Sequence, residues 1–337
     1  MSMEFTISLA NEVTFDAFED CLAVVDDLAY DTLFVGDERL NRNSYTLLAL
    51  AADRTDRVDL GTAVTNPYTR HPAMTAAAIA TVDDLSGGRA KLGLGGGSPI
   101  VLDPLGIEQE DPIGAVRDAV RTIRPLLAGE SVGIESAQFA TDGATLDVTP
   151  VSEVPIYIAG RGPSILGLAG YRGDGVLAGA GLASVEGMAY ARERIADGAE
   201  KAGRSVDDLD VVCWAFLSIA SDREAALDAV NPLVASIVDK TPMPALTAIG
   251  IDEADAAAVK ALDDVGDRSA ADLREHVPRA VTEQFAVAGT PEECRNHVER
   301  LRDAGVDHLG TLVFENEEHD PRETLEVFSD AVARPLG

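Results

Sequence analysis

Short apolar runs rich in β-branched residues alternate with amphipathic stretches from one end of this chain to the other, the pattern of βα units around a parallel sheet. The runs read as strands are Phe5 to Leu9, Thr32 to Val35, Val58 to Val64, Ala90 to Leu94, Ile156 to Ala159, Gly175 to Ala178, Leu209 to Ile219 and His308 to Phe314. They suffice for a closed α/β barrel, and such barrels commonly exceed about 250 residues as one unit. The expectation is therefore α/β, a single (β/α)8 TIM barrel over residues 1–337 with insertions.

Between the first two runs, Phe18, Cys21, Leu22, Val25, Leu28 and Ala29 recur at helical spacing, with Thr14 as N-cap. A helix beginning near Pro72 is expected to end at Leu85, where Gly87 and Gly88 supply a left-handed exit. Two stretches interrupt the alternation. Gln138 to Leu146 reads as a hairpin turning tightly at Asp142-Gly143, and the acidic, Ala-rich Pro242 to Val281 reads as inserted helices. Insertions of this kind often cover a barrel's active site.

Hydrophobic residues make up 46% of the chain and charged residues 25%, enough apolar material for a substantial core. The formal net charge is −31, and the lysines, Lys91, Lys201, Lys240 and Lys260, are outnumbered by arginines. A halophilic cytoplasm is the expected reason for both, with an ordinary acidic mesophile protein as the alternative, because near-molar salt shortens the Debye length to about 3 Å and relieves repulsion among carboxylates. Such a surface disfavours nucleic acid and anionic membranes as partners. No run of about 18 uncharged apolar residues occurs, and Met1 to Glu12 lacks a basic segment followed by an apolar one, so a cytoplasmic protein is expected. Cys21, Cys213 and Cys294 form no CxxC, and His71, His276, His297, His308 and His319 show no metal-ligand spacing, so neither disulfide nor metal is expected.

In a barrel the chemistry sits at the strands' C-terminal ends. The exits here are Gly36-Asp37-Glu38-Arg39, then Thr65-Asn66 running on to His71, Gly95-Gly96-Gly97-Ser98, and Gly160-Arg161-Gly162-Pro163-Ser164. The last places glycines and Pro163 at a helix N-terminus, which suits either a phosphate or a tight turn. Gly95 to Gly97 serve a turn or clear side chains from the path of a flat ring, and they are no GxGxxG fingerprint. Asp37 is the stronger acid/base candidate and Glu38 the weaker. His71 is a cap or a catalyst. No GxSxG elbow surrounds Ser164, which argues against a hydrolase.

The segment GTAVTNPYTRHP (Gly61 to Pro72), followed by TAAAIATVDDLSGGRAKLGLGGG, resembles the bacterial-luciferase-like superfamily, and within it the F420-dependent methylenetetrahydromethanopterin reductase branch. The likeness extends over VGDERLNRNSYTLLALA, PLGIEQEDPIGAVRDAVRTIRPLLAGE, IYIAGRGPSILGLAG and FAVAGTPEE, nearly the whole chain. It implies a luciferase-like barrel and a homo-oligomer, dimer or tetramer. It further implies coenzyme F420, or alternatively FMN, bound by Ala63, Val64, Thr65, Asn66, Gly95, Gly96, Gly97, Ser98, Ala159, Gly160, Arg161, Gly162 and Pro163. A β-bulge with a non-prolyl cis peptide at Ala63–Val64 and a phosphate contact at the Gly160 to Pro163 turn belong to the same picture.

The implied activity is one-carbon metabolism, a hydride passing between the deazaflavin and a C1-carrying pterin or folate. Ser8 and Ser98 depart from the branch, which carries a Glu and an Asp there, and Glu12 or Asp37 is available to take over proton transfer. The alternatives are an FMN-dependent monooxygenase on the same barrel and a cofactor-binding protein without turnover. Arg39, Arg42, Arg70 and Arg161 are the cations near strand exits able to receive an anionic cofactor tail or to pair with surface carboxylates.

Overall fold

The computed structural model describes residues 2–10, 13–37, 40–179 and 181–337. In chain order the strands are β1 Glu4–Leu9, β2 Thr32–Val35, β3 Asp59–Thr65, β4 Ala90–Leu94, β5 Val132–Glu135, β6 Ala140–Ala144, β7 Ile156–Gly160, β8 Gly175–Ala178, β9 Asp210–Ile219, β10 Ala286–Gly289 and β11 His308–Val313. The order β1-β2-β3-β4-β7-β8-β9-β11, all parallel, closes on itself through the β11–β1 and β8–β9 pairings. This is the (β/α)8 barrel expected from the alternating runs, strand for strand.

The long strand β9 serves three neighbours. One edge pairs with β11 over Val212–Leu217, while the other pairs with β8 over Asp210–Cys213 and then with β10 over Phe216–Ile219. β10 therefore continues the line of β8 above the barrel. Its sequence, Ala-Val-Ala-Gly, carries no strand signal strong enough to stand out from the flanking helices.

Covered by helices on their outer face and packed in the lumen on the other, the strands are buried on both sides, which is why they read as continuous apolar runs. The lumen is filled by Phe34, Tyr157, Leu177 and Val212, with Ala63, Val64, Ala159 and Trp214 packed against them. Phe34 meets Tyr157 edge-on at 6.1 Å and Trp214 at 6.2 Å. These rings form the floor of the site above.

The first outer helix, Phe15–Val25, is capped by the Thr14 hydroxyl and buries Phe18, Cys21, Leu22 and Val25. It stops at Val25, so Leu28 and Ala29 belong to the following turn. Helix Pro72–Ser86 ends on Gly87 at φ +70°, the left-handed exit anticipated from its glycines. The hairpin differs from expectation. Its reversal lies at Ser136 to Phe139, closed by the Ser136 amide donating to the Phe139 carbonyl, and Asp142-Gly143 sits inside β6 where the register shifts. Gly143 at φ +64° thus marks a bulge rather than the turn; the Asp-Gly pair suits both because both need a left-handed residue. Residues after Pro242 form short helices, Met243–Ala248, Glu253–Lys260, Ala270–Arg274 and Arg279–Phe285.

Candidate active site

The C-terminal ends of the strands open into a cavity of about 410 Å³. Asp37 follows β2, Asn66 follows β3, Gly95 to Ser98 follow β4, Arg161 follows β7 and Gly179 follows β8, so the wall is built from successive strand exits. Val101, Leu177, Trp214 and Ile237 supply its apolar surface.

One side of this wall is main chain. Thr62 pairs with Leu92 and Thr65 with Leu94, so three steps on β3 oppose two on β4, and Ala63 and Val64 bulge toward the cavity across a cis peptide bond. β4 fits against the bulge because it carries glycine. A Cβ on Gly93 would lie 2.0 Å from the Thr62 carbonyl oxygen, and one on Gly95 would lie 2.8 Å from Val64 Cγ2. The Thr62 hydroxyl pins the pair by donating to the Gly93 carbonyl at 2.8 Å. Further along, Gln109 Nε2 donates to the Gly96 and Gly97 carbonyls at 2.6 and 3.0 Å. The Asn66 side-chain oxygen accepts from the Tyr68 and Thr69 amides at 3.0 and 2.9 Å, leaving its NH2 end to donate.

Charge enters at two places. Asp37 accepts a hydrogen bond from the Thr65 hydroxyl at 2.8 Å, with Arg70 Nε 3.7 Å away; the Ser44 hydroxyl, 3.3 Å from Asp37, gives its one proton to the nearer Gly36 carbonyl. The Arg70 guanidinium lies over the ring of Tyr45 at 4.6 Å. Burial first, and the Asp37 charge second, push the Tyr45 phenol above its ordinary range, so it stays neutral. The half-buried Arg161 guanidinium donates to the Thr241 hydroxyl at 2.8 Å, and desolvation lowers its pKa. Beside it Gly162 and Pro163 begin helix Pro163–Arg172, whose first turn has no side-chain cap.

A family model described as luciferase-like monooxygenase matches residues 3–308. This chain belongs to the luciferase-like family. It is 36% identical over 312 residues to the 5,10-methylenetetrahydromethanopterin reductase of Archaeoglobus fulgidus, covering 90% of this chain and 91% of that protein. It is also 32% identical over 304 residues to the F420-dependent glucose-6-phosphate dehydrogenase of Rhodococcus erythropolis, covering 87% and 83%. Among solved structures, the coenzyme F420-dependent tetrahydromethanopterin reductase of Methanopyrus kandleri superposes over all of both chains with a TM-score of 0.87 at 28% identity.

On this luciferase-like barrel, Asp37, Ala63, Val64, Asn66, Gly95, Gly96, Gly97, Ser98, Ala159, Gly160 and Arg161 all reach the cavity wall. Thr65 stands behind it and orients Asp37. Gly162 and Pro163 are adjacent, as the start of a helix. Ser8 is 1% exposed within β1 between Phe34 and Leu312 and is not on the wall. Glu12, Glu38 and Arg39 lie outside the described residues. His71 caps helix Pro72–Ser86, Nδ1 accepting from the Ala73 amide at 3.2 Å and Nε2 meeting the Ala140 carbonyl at 3.2 Å, so both ring nitrogens are engaged within the fold. Arg42 donates to the Val13 carbonyl at 2.6 Å and covers Phe15. Among the described residues no helix is long and apolar enough to cross a membrane.

The motif reading missed Val101, Leu177, Gly179, Trp214 and Ile237. Trp214 was legible in principle: it is the sole tryptophan, set in a strand run whose alternate residues face the lumen. Ile237 was not, because it comes from helix Arg223–Lys240 and reaches the wall only through tertiary packing.

Proposed function

We propose that this luciferase-like protein is an F420-dependent oxidoreductase that moves a hydride between the deazaflavin and a C1-carrying pterin or folate. The observation that carries the reading is the glycine-lined β4 exit packed against the β3 bulge. It gives the cavity a face of main chain and small side chains, fitted to a flat ring, with a cation and a helix N-terminus farther round the mouth. The names of its relatives with at least 30% identity supply the cofactor and the substrate class.

In this reading Ala63, Val64, Gly95 to Gly97, Ala159 and Gly160 hold the ring, and Asn66 donates to its polar edge. Arg161, the Gly162 amide at the start of the helix that Pro163 opens, and Ser98 receive the phosphate and polar groups of the tail. When bound, the coenzyme supplies hydride chemistry at its ring carbon. The protein's part is to hold the two reactants in contact and exclude water, with Trp214 and Leu177 as an apolar floor and Ile237 as an apolar side of the cavity. Asp37, oriented by the Thr65 hydroxyl, is the carboxylate available to exchange a proton with a substrate nitrogen. It takes the role that the serines at positions 8 and 98 leave open.

The test is turnover. Reduced F420 mixed with the protein in concentrated salt, with methylenetetrahydromethanopterin and separately methylenetetrahydrofolate, should be reoxidised at a rate proportional to enzyme with at least one of them. Oxidation with neither, in protein that binds F420, would leave a cofactor-binding protein without this activity.

A further inference from the structure

The opposite end of the barrel holds a second cavity, of about 730 Å³, at the N-terminal ends of the strands. Glu4, Asp59, Asp210 and Asp307 line it with carboxylates, and Lys91 is its one described ammonium. Lys91 is paired with Asp59 at 3.1 Å and donates to the Thr32 hydroxyl at 2.9 Å. Glu4 and Asp210 face His308, which is 3% exposed.

We propose that Glu4, Asp210 and His308 form a binding site for a divalent transition-metal ion, such as Zn²⁺ or Co²⁺, that ties β1, β9 and β11 together at the base of the barrel. One donor atom from each of the three lies within 4.8 Å of the other two. His308 Nδ1 is 2.7 Å from Asp210 Oδ1 and 3.6 Å from Glu4 Oε2, so a modest spreading admits an ion among them.

The groups behind the ligands are those a metal site needs. A ligating imidazole donates its other ring N–H to an outer partner, and here Nε2 lies 2.8 Å from the Thr6 hydroxyl oxygen, which can accept. The second oxygen of Asp210 accepts from the Tyr157 hydroxyl at 2.7 Å, fixing that carboxylate. Ring and carboxylate are thus oriented by residues outside the trio. Binding takes Nδ1 in its unprotonated form, with the single N–H of the neutral ring on Nε2 toward Thr6. One nitrogen and two oxygens suit Zn²⁺, Co²⁺ or Mn²⁺ rather than Ca²⁺, and the cavity leaves the other coordination positions to water. These ligands come from distant parts of the chain, so no spacing motif announces them. The proposal is independent of the reaction at the other end.

The experiment is a Co²⁺ titration of the chelator-treated full chain, read by visible ligand-field absorption, with Zn²⁺ added in competition. We expect saturation at one equivalent and displacement by Zn²⁺. Glu4→Gln, at a side chain 62% exposed and safe for folding, should weaken binding by about tenfold or more, the size seen even for outer partners of metal ligands. His308→Gln should abolish the absorption while F420 binding at the opposite mouth is retained. A wild-type protein without a saturable Co²⁺ spectrum, or a Glu4→Gln variant that titrates like wild type, overturns the proposal.

Discussion

The Thr65 hydroxyl donates to the Asp37 carboxylate at 2.8 Å, joining the exits of two neighbouring strands and aiming the cavity's described carboxylate. If Asp37 exchanges a proton with substrate, Asp37→Asn should lower kcat by roughly 10²- to 10⁴-fold while the F420 dissociation constant changes little. Thr65→Val, which removes one orienting bond worth about 1 kcal/mol, should cost nearer tenfold. Steady-state kinetics beside a binding titration separates the two effects; equal loss of cofactor affinity in both variants would move Asp37 from catalysis to binding.

Close packing of β4 against the β3 bulge makes Gly93 the least replaceable glycine at the site. Its added Cβ would meet backbone at 2.0 Å, so Gly93→Ala should destabilise the fold by about 1–3 kcal/mol. Gly266, with nothing within 4 Å of a Cβ, is the control, and Gly266→Ala should fall within about 0.5 kcal/mol of wild type. Thermal and denaturant unfolding check both.

Arg161 offers a test that distinguishes cofactor tail from cofactor ring. Arg161→Gln should weaken F420 by about tenfold or more through loss of a charge-assisted contact. It should leave a deazaflavin lacking the phosphate tail unaffected. Parallel loss for both ligands would assign Arg161 to the cavity's shape alone.

Glu293 makes an acid-sensitive tie near the start of helix Pro291–Asp303. Burial alone would raise its pKa, but hydrogen bonds from Arg223, the Thr290 amide and Arg279 outweigh that and hold it at about 2, against an ordinary 4.5. A depressed folded-state pKa gives stability that is complete above 4.5 and lost as pH falls toward about 2. Glu293→Gln should therefore unfold at lower temperature than wild type at neutral pH, and the gap should narrow as pH falls through that window.

The barrel was legible because each of its strands is buried on both faces, and a doubly buried strand writes itself as an apolar run. The cavity wall was legible where it is made of strand exits, Asp37, Asn66, Gly95 to Ser98 and Gly160-Arg161, because the fold fixes which end of each strand carries chemistry. What escaped depends on tertiary placement. Ile237 arrives from a distant helix, β10 is too short and small to announce itself, and Asp142-Gly143 carries a signal shared by turns and bulges. The steric reason for Gly93 likewise appears only once the Thr62 carbonyl is opposite it.

The most direct test of the whole account is a titration of the purified protein, in concentrated salt, with F420 and separately with FMN, followed by fluorescence quenching. An F420-dependent enzyme should bind F420 saturably, with little or no binding of FMN. Preference for FMN, or binding of neither, would contradict it.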